Sequence, residues 1–123
     1  MTVYIKKLYW YFGQFTIIDP QVLDENLWQD EDNIRYSLGE HGVYLGVEDC
    51  DIFDVDADIY FNEPLVTNHP ILVQHVISVP SKQVEFSAPT IGPDFILDVS
   101  SDRVRVTVYR LENLKFLLHL EEI

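Results

Sequence analysis

The chain has little of the chemistry that marks an enzyme or a metal protein. It holds one cysteine, Cys50, among 123 residues, which excludes an internal disulfide and a cysteine zinc cluster. Only five glycines are present. None forms a loop able to cradle phosphate, and no serine lies in a Gly-x-Ser-x-Gly nucleophile elbow. No apolar run approaches the length of a membrane-spanning helix, and Met1 to Lys7 lacks the basic-then-apolar order of a signal peptide. Bases are scarce too, with 8 Lys and Arg against 21 Asp and Glu and a net charge of -13. Nucleic acid and anionic lipid would both be repelled. These features predict a cytoplasmic protein with neither a membrane nor a nucleic-acid partner.

What is abundant is apolar and aromatic, at 47% and 13% of the residues. That suffices for a packed core and excludes disorder despite the charge. The length fits a single domain over residues 1–123. The charge is unevenly spread. Between Asp19 and Glu63 stand 14 acids and one base, Arg35, while seven acids and seven bases balance in the remainder. Such a segment is either a solvated acidic surface or a docking face for a basic protein, which would gain fast association by electrostatic steering.

Period-2 alternation dominates the chain, and that is the signal of strands. It is clearest in Ile71 to Val79, in Val84 and Phe86, in Phe95, Leu97 and Val99, and in Arg103 to Arg110. In the last of these the valines share one face, with Arg103, Arg105, Thr107 and Tyr109 on the other. The short polar turn Ser100-Ser101-Asp102 predicts a hairpin between the strands at 95–99 and 103–110, with Asp94 and Asp98 opposite the arginines. Lys115 to Leu120 alternates as well, a short helix being the competing reading. Val3 to Tyr11, Phe15 to Ile18 and Ala57 to Phe61 are strand-like. Ile34–Leu38 and Val43–Val47 flank Gly39-Glu40-His41-Gly42, a hairpin with glycine at special backbone angles. Gln21 to Asp32 shows no clean alternation and reads as a helical turn or a loop. The sum is an all-β domain, an antiparallel β-sandwich of about eight or nine strands, with a closed β-barrel as the alternative.

Candidate chemistry is thin. Asp54-Val55-Asp56-Ala57-Asp58 opens like an EF-hand loop, but the sixth and twelfth positions are Ile59 and Leu65, where glycine and glutamate belong. A looser calcium site on sandwich loops, using Asp49, Asp51, Asp54 and Asp56, stays open beside a simple wet strand face. His41, His69, His75 and His119 show no ligand spacing. His75 falls on the apolar side of its strand and reads as a satisfied interior histidine, and His41 and His69 read as turn residues. Cys50 stands between Asp49 and Asp51, whose charges suppress a reactive thiolate. No catalytic residue, metal ligand or cofactor is expected.

Several stretches follow one order: Gln14-Phe15-Thr16-Ile17, then Glu63-Pro64, a long strand ending Val79-Pro80-Ser81, and Phe95 to Val99 leading into Arg103-Val104-Arg105-Val106. This order resembles the small bacterial β-rich proteins related to competence protein J, an inhibitor of a partner nuclease. The family's Pro-Gly-x-Tyr before the Arg-Val-Arg-Val strand is replaced here by a turn ending Ser101-Asp102, and the tryptophan of its long strand is absent. No individual site residue is carried over. The resemblance implies an inhibitor. Together with the charge, it predicts a non-enzymatic inhibitor or immunity protein that occludes a basic toxin or nuclease domain. The expected contact residues are Trp28, Asp30, Glu31, Asp32, Glu48, Asp49, Asp51, Asp54, Asp56 and Asp58. A calcium-binding β-sandwich module is the alternative.

Overall fold

The computed structural model describes residues 8–11, 14–22, 29–31, 34–47, 52–62, 67–88, 92–111 and 115–123. Every regular element among them is a strand. In chain order they are β1 (Leu8–Tyr11), β2 (Gln14–Ile18), β3 (Gln29–Glu31), β4 (Ile34–Leu38), β5 (Gly42–Val47), β6 (Ile52–Phe61), β7 (Ile71–Ser78), β8 (Gln83–Ala88), β9 (Gly92–Asp98), β10 (Arg103–Arg110) and β11 (Lys115–Glu122).

The pairings build two layers. One runs β3-β4-β5-β2-β8-β9, because β2 pairs with β5 along one edge and with β8 along the other. The second runs β1-β6-β11-β10-β7. The tight β1–β2 link, with Tyr11 opposite Gln14, joins the layers. The ends of this path do not meet, so the fold is a β-sandwich and not a closed barrel. All pairs are antiparallel except β6 with β11, and a parallel pair requires a long crossover between its strands.

Alternation chooses the face that each strand buries. Ile17, Val43, Leu45, Val84, Phe86 and Leu97 come from the first layer, and Ile59, Phe61, Val73, Ile77, Val104, Val106, Val108, Phe116, Leu118 and Leu120 from the second. They form one cluster, and this contact between two inner faces is what holds a sandwich together. Each such side chain contributes roughly 1.5–3 kcal/mol by leaving water. Phe86 and Phe95 meet in a tilted arrangement with centroids 6.0 Å apart.

The hairpin expected at Ser100-Ser101-Asp102 needs correction. The strands at 95–99 and 103–110 do not form a hairpin. β9 returns to β8, while β10 crosses to the other layer and pairs with β7 and β11. The turn between them is held from outside instead, with Ser100 bonded to Glu122 and Ser101 to Ile123. Asp98 accepts from Gln83 Nε2 at 3.2 Å, and Arg105 stands 3.8 Å from Glu121 of β11. The outward face of β10 and β11 is also not simply wet. Thr107, Leu117 and His119 are buried there, since each short or central side chain is flanked on neighbouring strands.

The Gly39–Gly42 hairpin is formed, with Gly39 N–H donating to Gly42 O. Gly42 is required there for space, not for an unusual backbone angle. A Cβ would lie 2.6 Å from Ile18 Cγ2 and 3.2 Å from the Tyr44 ring. The left-handed position of the neighbouring β7–β8 turn is taken by Lys82, at φ 58. Replacing Gly42 by alanine should lower stability by roughly 1–3 kcal/mol through overpacking. The double variant Gly42→Ala/Ile18→Ala should lose less than the sum of its parts, because the colliding methyl is gone. Urea unfolding of the two single variants and the double variant measures this.

Candidate functional site

Strand direction and register give the two ends of the sandwich different characters. At one end, Asp19 closes β2 and is wholly buried. Its Oδ1 accepts Gln21 N–H at 2.8 Å and its Oδ2 accepts Ser81 N–H at 3.0 Å. Its own N–H donates to His41 O at 2.9 Å. Asp19 thus ties the end of β2 to the β7–β8 turn through its carboxylate and to the β4–β5 turn through its N–H.

The same end carries two histidine contacts across the layers. His41 Nδ1 donates to Ser78 O at 2.9 Å, and His75 Nε2 donates to Gly39 O at 2.7 Å. Ser78 N–H donates to Glu40 O. His75 is half-buried and satisfied, and His41 and His69 lie in turns, as expected from the sequence. On the far side of this end Glu122 accepts Ser100 N–H at 2.6 Å and Ser100 Oγ–H at 2.7 Å. Those bonds hold its carboxyl below the ordinary value near 4.5.

The other end is where the acidic candidates converge in the chain. Register places Tyr11 beside Gln14 and Ile52, Gln14 beside Gly46, Ile34 beside Val47, and Glu31 beside Ile34. The strand ends that flank residues 12–13, 32–33 and 48–51 therefore lie together. Asp30 and Glu31 close β3, with Asp30 opposite Arg35, the one base of the acidic segment. Asp54, Asp56 and Asp58 occupy alternate positions of β6, opposite Tyr9, Lys115 and Leu117. Trp28, Asp32, Glu48, Asp49 and Asp51 lie outside the described residues. The structure thus brings three of the candidates together on β6 and two on β3, while β4, β5, β2 and β1 separate those two strands along the path.

Asp54-Val55-Asp56-Ala57-Asp58 is strand, not the loop an EF-hand needs. Among the described residues no three His, Cys, Asp or Glu side chains are grouped to hold a metal ion, and no helix is long and apolar enough to cross a membrane. Asp19 and Glu122 are the acids whose roles sequence reading missed. The signal for Asp19 was its position after a strand and before Pro20, where a side-chain carboxylate caps a turn.

No protein-family model and no curated protein matches the sequence. Among solved structures, the crystal structure of ComJ from Bacillus subtilis, inhibitor of the DNA degrading activity of NucA, superposes with a TM-score of 0.69 at 10% identity. The match covers 100% of this chain and 99% of that one. The fold is ComJ-like. The sequence order that resembled competence protein J thus corresponds to a shared architecture along the whole chain. At this identity the ComJ likeness concerns the arrangement of strands.

Two substitutions test the described end. Asp19→Ala leaves two backbone donors without their partner and should cost about 1–3 kcal/mol in denaturant unfolding. Glu122 is held ionised in the folded state, so its stabilising contribution is complete above about pH 4.5 and is lost as pH falls through its lowered value. Glu122→Gln should therefore flatten the acid limb of the stability profile. Unfolding midpoints measured between about pH 5 and pH 3 compare the two slopes.

Proposed function

We propose that this chain is a non-enzymatic inhibitor or immunity protein that binds a basic nuclease or toxin domain and covers its active site. The observation that carries this reading is the full-length ComJ-like fold on a chain whose whole surplus of charge, 14 acids against one base, lies between residues 19 and 63. A nuclease must be positive where it holds phosphate. A carboxylate-rich surface can occupy that place without performing chemistry, and opposite charge speeds the encounter. The contact residues in this reading are Trp28, Asp30, Glu31, Asp32, Glu48, Asp49, Asp51, Asp54, Asp56 and Asp58, with Trp28 as an aromatic anchor. The protein works in the cytoplasm and needs no cofactor.

The register supports this surface in two ways. Asp54, Asp56 and Asp58 take alternate positions of β6, and Asp30 and Glu31 end β3 directly before Asp32 in sequence. Asp19 and Glu40 belong to the opposite end and are no part of it.

The test is inhibition of DNA cleavage by purified NucA, the nuclease whose activity ComJ inhibits. Stoichiometric loss of cleavage is expected. Affinity should fall steeply as salt rises, because exposed charges are screened, and the triple variant Asp54→Asn/Asp56→Asn/Asp58→Asn should bind at least about tenfold more weakly with its fold intact. Affinity that stays flat with salt, or an unaffected triple variant, would refute the acidic face.

A further inference from the structure

β7 does not keep its alternation to the end. Val73 and Ile77 face the core, opposite Val108 and Val104. Strict period-2 alternation from Val73 turns Leu72 outward and Ile71 inward. The register shifts instead. Val73 pairs with Val108, the next pair is Ile71 with Tyr109, and Leu72 is the extra residue of a β-bulge. Leu72 packs against the core, while Ile71 stands outside at 54% exposure. A bulge disrupts the ladder and re-aims a side chain. Here the result is an isoleucine held in water.

Register extends this position into a row. Tyr109 lies between Ile71 of β7 and Leu117 of β11, and Leu117 pairs in turn with Asp58 of β6. Ile71 is exposed, Tyr109 half-buried and Leu117 buried. The next rows of the same sheet face are bonded within themselves. Gln74 Nε2 donates to Thr107 Oγ1 at 3.2 Å, and Glu121 stands 3.8 Å from Arg105 and 3.7 Å from His119. Polar groups already satisfied by one another gain little from a partner. The other exposed large apolar side chains among the described residues lie apart: Leu38 and Ile123 at the Asp19 end, and Ile96 on β9 of the other layer.

We propose that the row Ile71, Tyr109, Leu117 is the apolar anchor of the surface that binds the basic nuclease or toxin domain. This rests on the inhibitor reading above and adds the residues that hold the partner once charge has brought it near. Continuity and charge name the occupant. The row leads by register to Asp58, and Asp56 and Asp54 take the next alternate positions of the same strand. A cationic protein drawn to those carboxylates meets the row beside them. Opposite charge speeds the encounter and sets orientation, but exposed ion pairs add little affinity. Affinity comes from aromatic and aliphatic groups that a partner seals from water inside a polar rim. The partner must therefore offer an apolar hollow next to its basic cleft, and Ile71 is the side chain placed to enter it.

The test is the NucA cleavage assay repeated with substitutions inside and outside the row. Ile71→Ser removes the exposed anchor without adding charge, and its urea midpoint should stay near the parent's because the side chain already lies in water. Tyr109→Ala removes its neighbour, and Ile96→Ser is the control on the other layer. Ile71→Ser and Tyr109→Ala should each raise the inhibition constant at least about tenfold. Their salt dependence should match the parent's, since no charge is lost, and Ile96→Ser should inhibit as the parent does. If Ile71→Ser inhibits like the parent while the Asp54, Asp56 and Asp58 triple variant inhibits weakly, the anchor is overturned and the acidic surface stands. Equal losses for Ile71→Ser and Ile96→Ser overturn the anchor as well. A parent chain that leaves DNA cleavage untouched removes both.

Discussion

A carboxylate with no exposure to solvent, Asp19, fixes how the turns of the two layers meet. Removing a carboxylate from water costs heavily unless hydrogen bonds replace the lost hydration. Here each oxygen accepts one backbone N–H, from Gln21 and from Ser81. Those amides would otherwise be short of acceptors at the ends of strands. The arrangement constrains three chain segments distant in sequence. β2 must end at Asp19, the β4–β5 turn must present His41 O, and the β7–β8 turn must present the N–H of Ser81. Once they do, His41 and His75 can reach Ser78 and Gly39, and the layers are pinned where the apolar core stops. The apolar cluster drives the sheets together without direction, and the polar clasp supplies the register.

The clasp also bears on where the remaining charge can go. At the Asp19 end several polar groups have specific partners: Glu122 with Ser100, Ser101 with Ile123, and Asn62 with Glu122. Like charges there would break those bonds. The strand ends that flank residues 32–33 and 48–51 lie at the opposite end.

How much of this was readable from residues differs by level. Alternation marked β7, β8, β10 and β11, because each strand has one face against a single core, and valine or leucine at every second place is a direct trace of that burial. Partner choice left no such trace. Ser100-Ser101-Asp102 looks like a hairpin turn, yet its groups bond to Glu122 and Ile123, and β9 and β10 separate into different layers. β3, only three residues long, is too brief for a period to register. The need for Gly42 lies in Ile18 and Tyr44, which become neighbours through pairing and packing. The acidic segment was legible as composition. The convergence of its flanking strand ends was not, since that depends on which strand lies beside which.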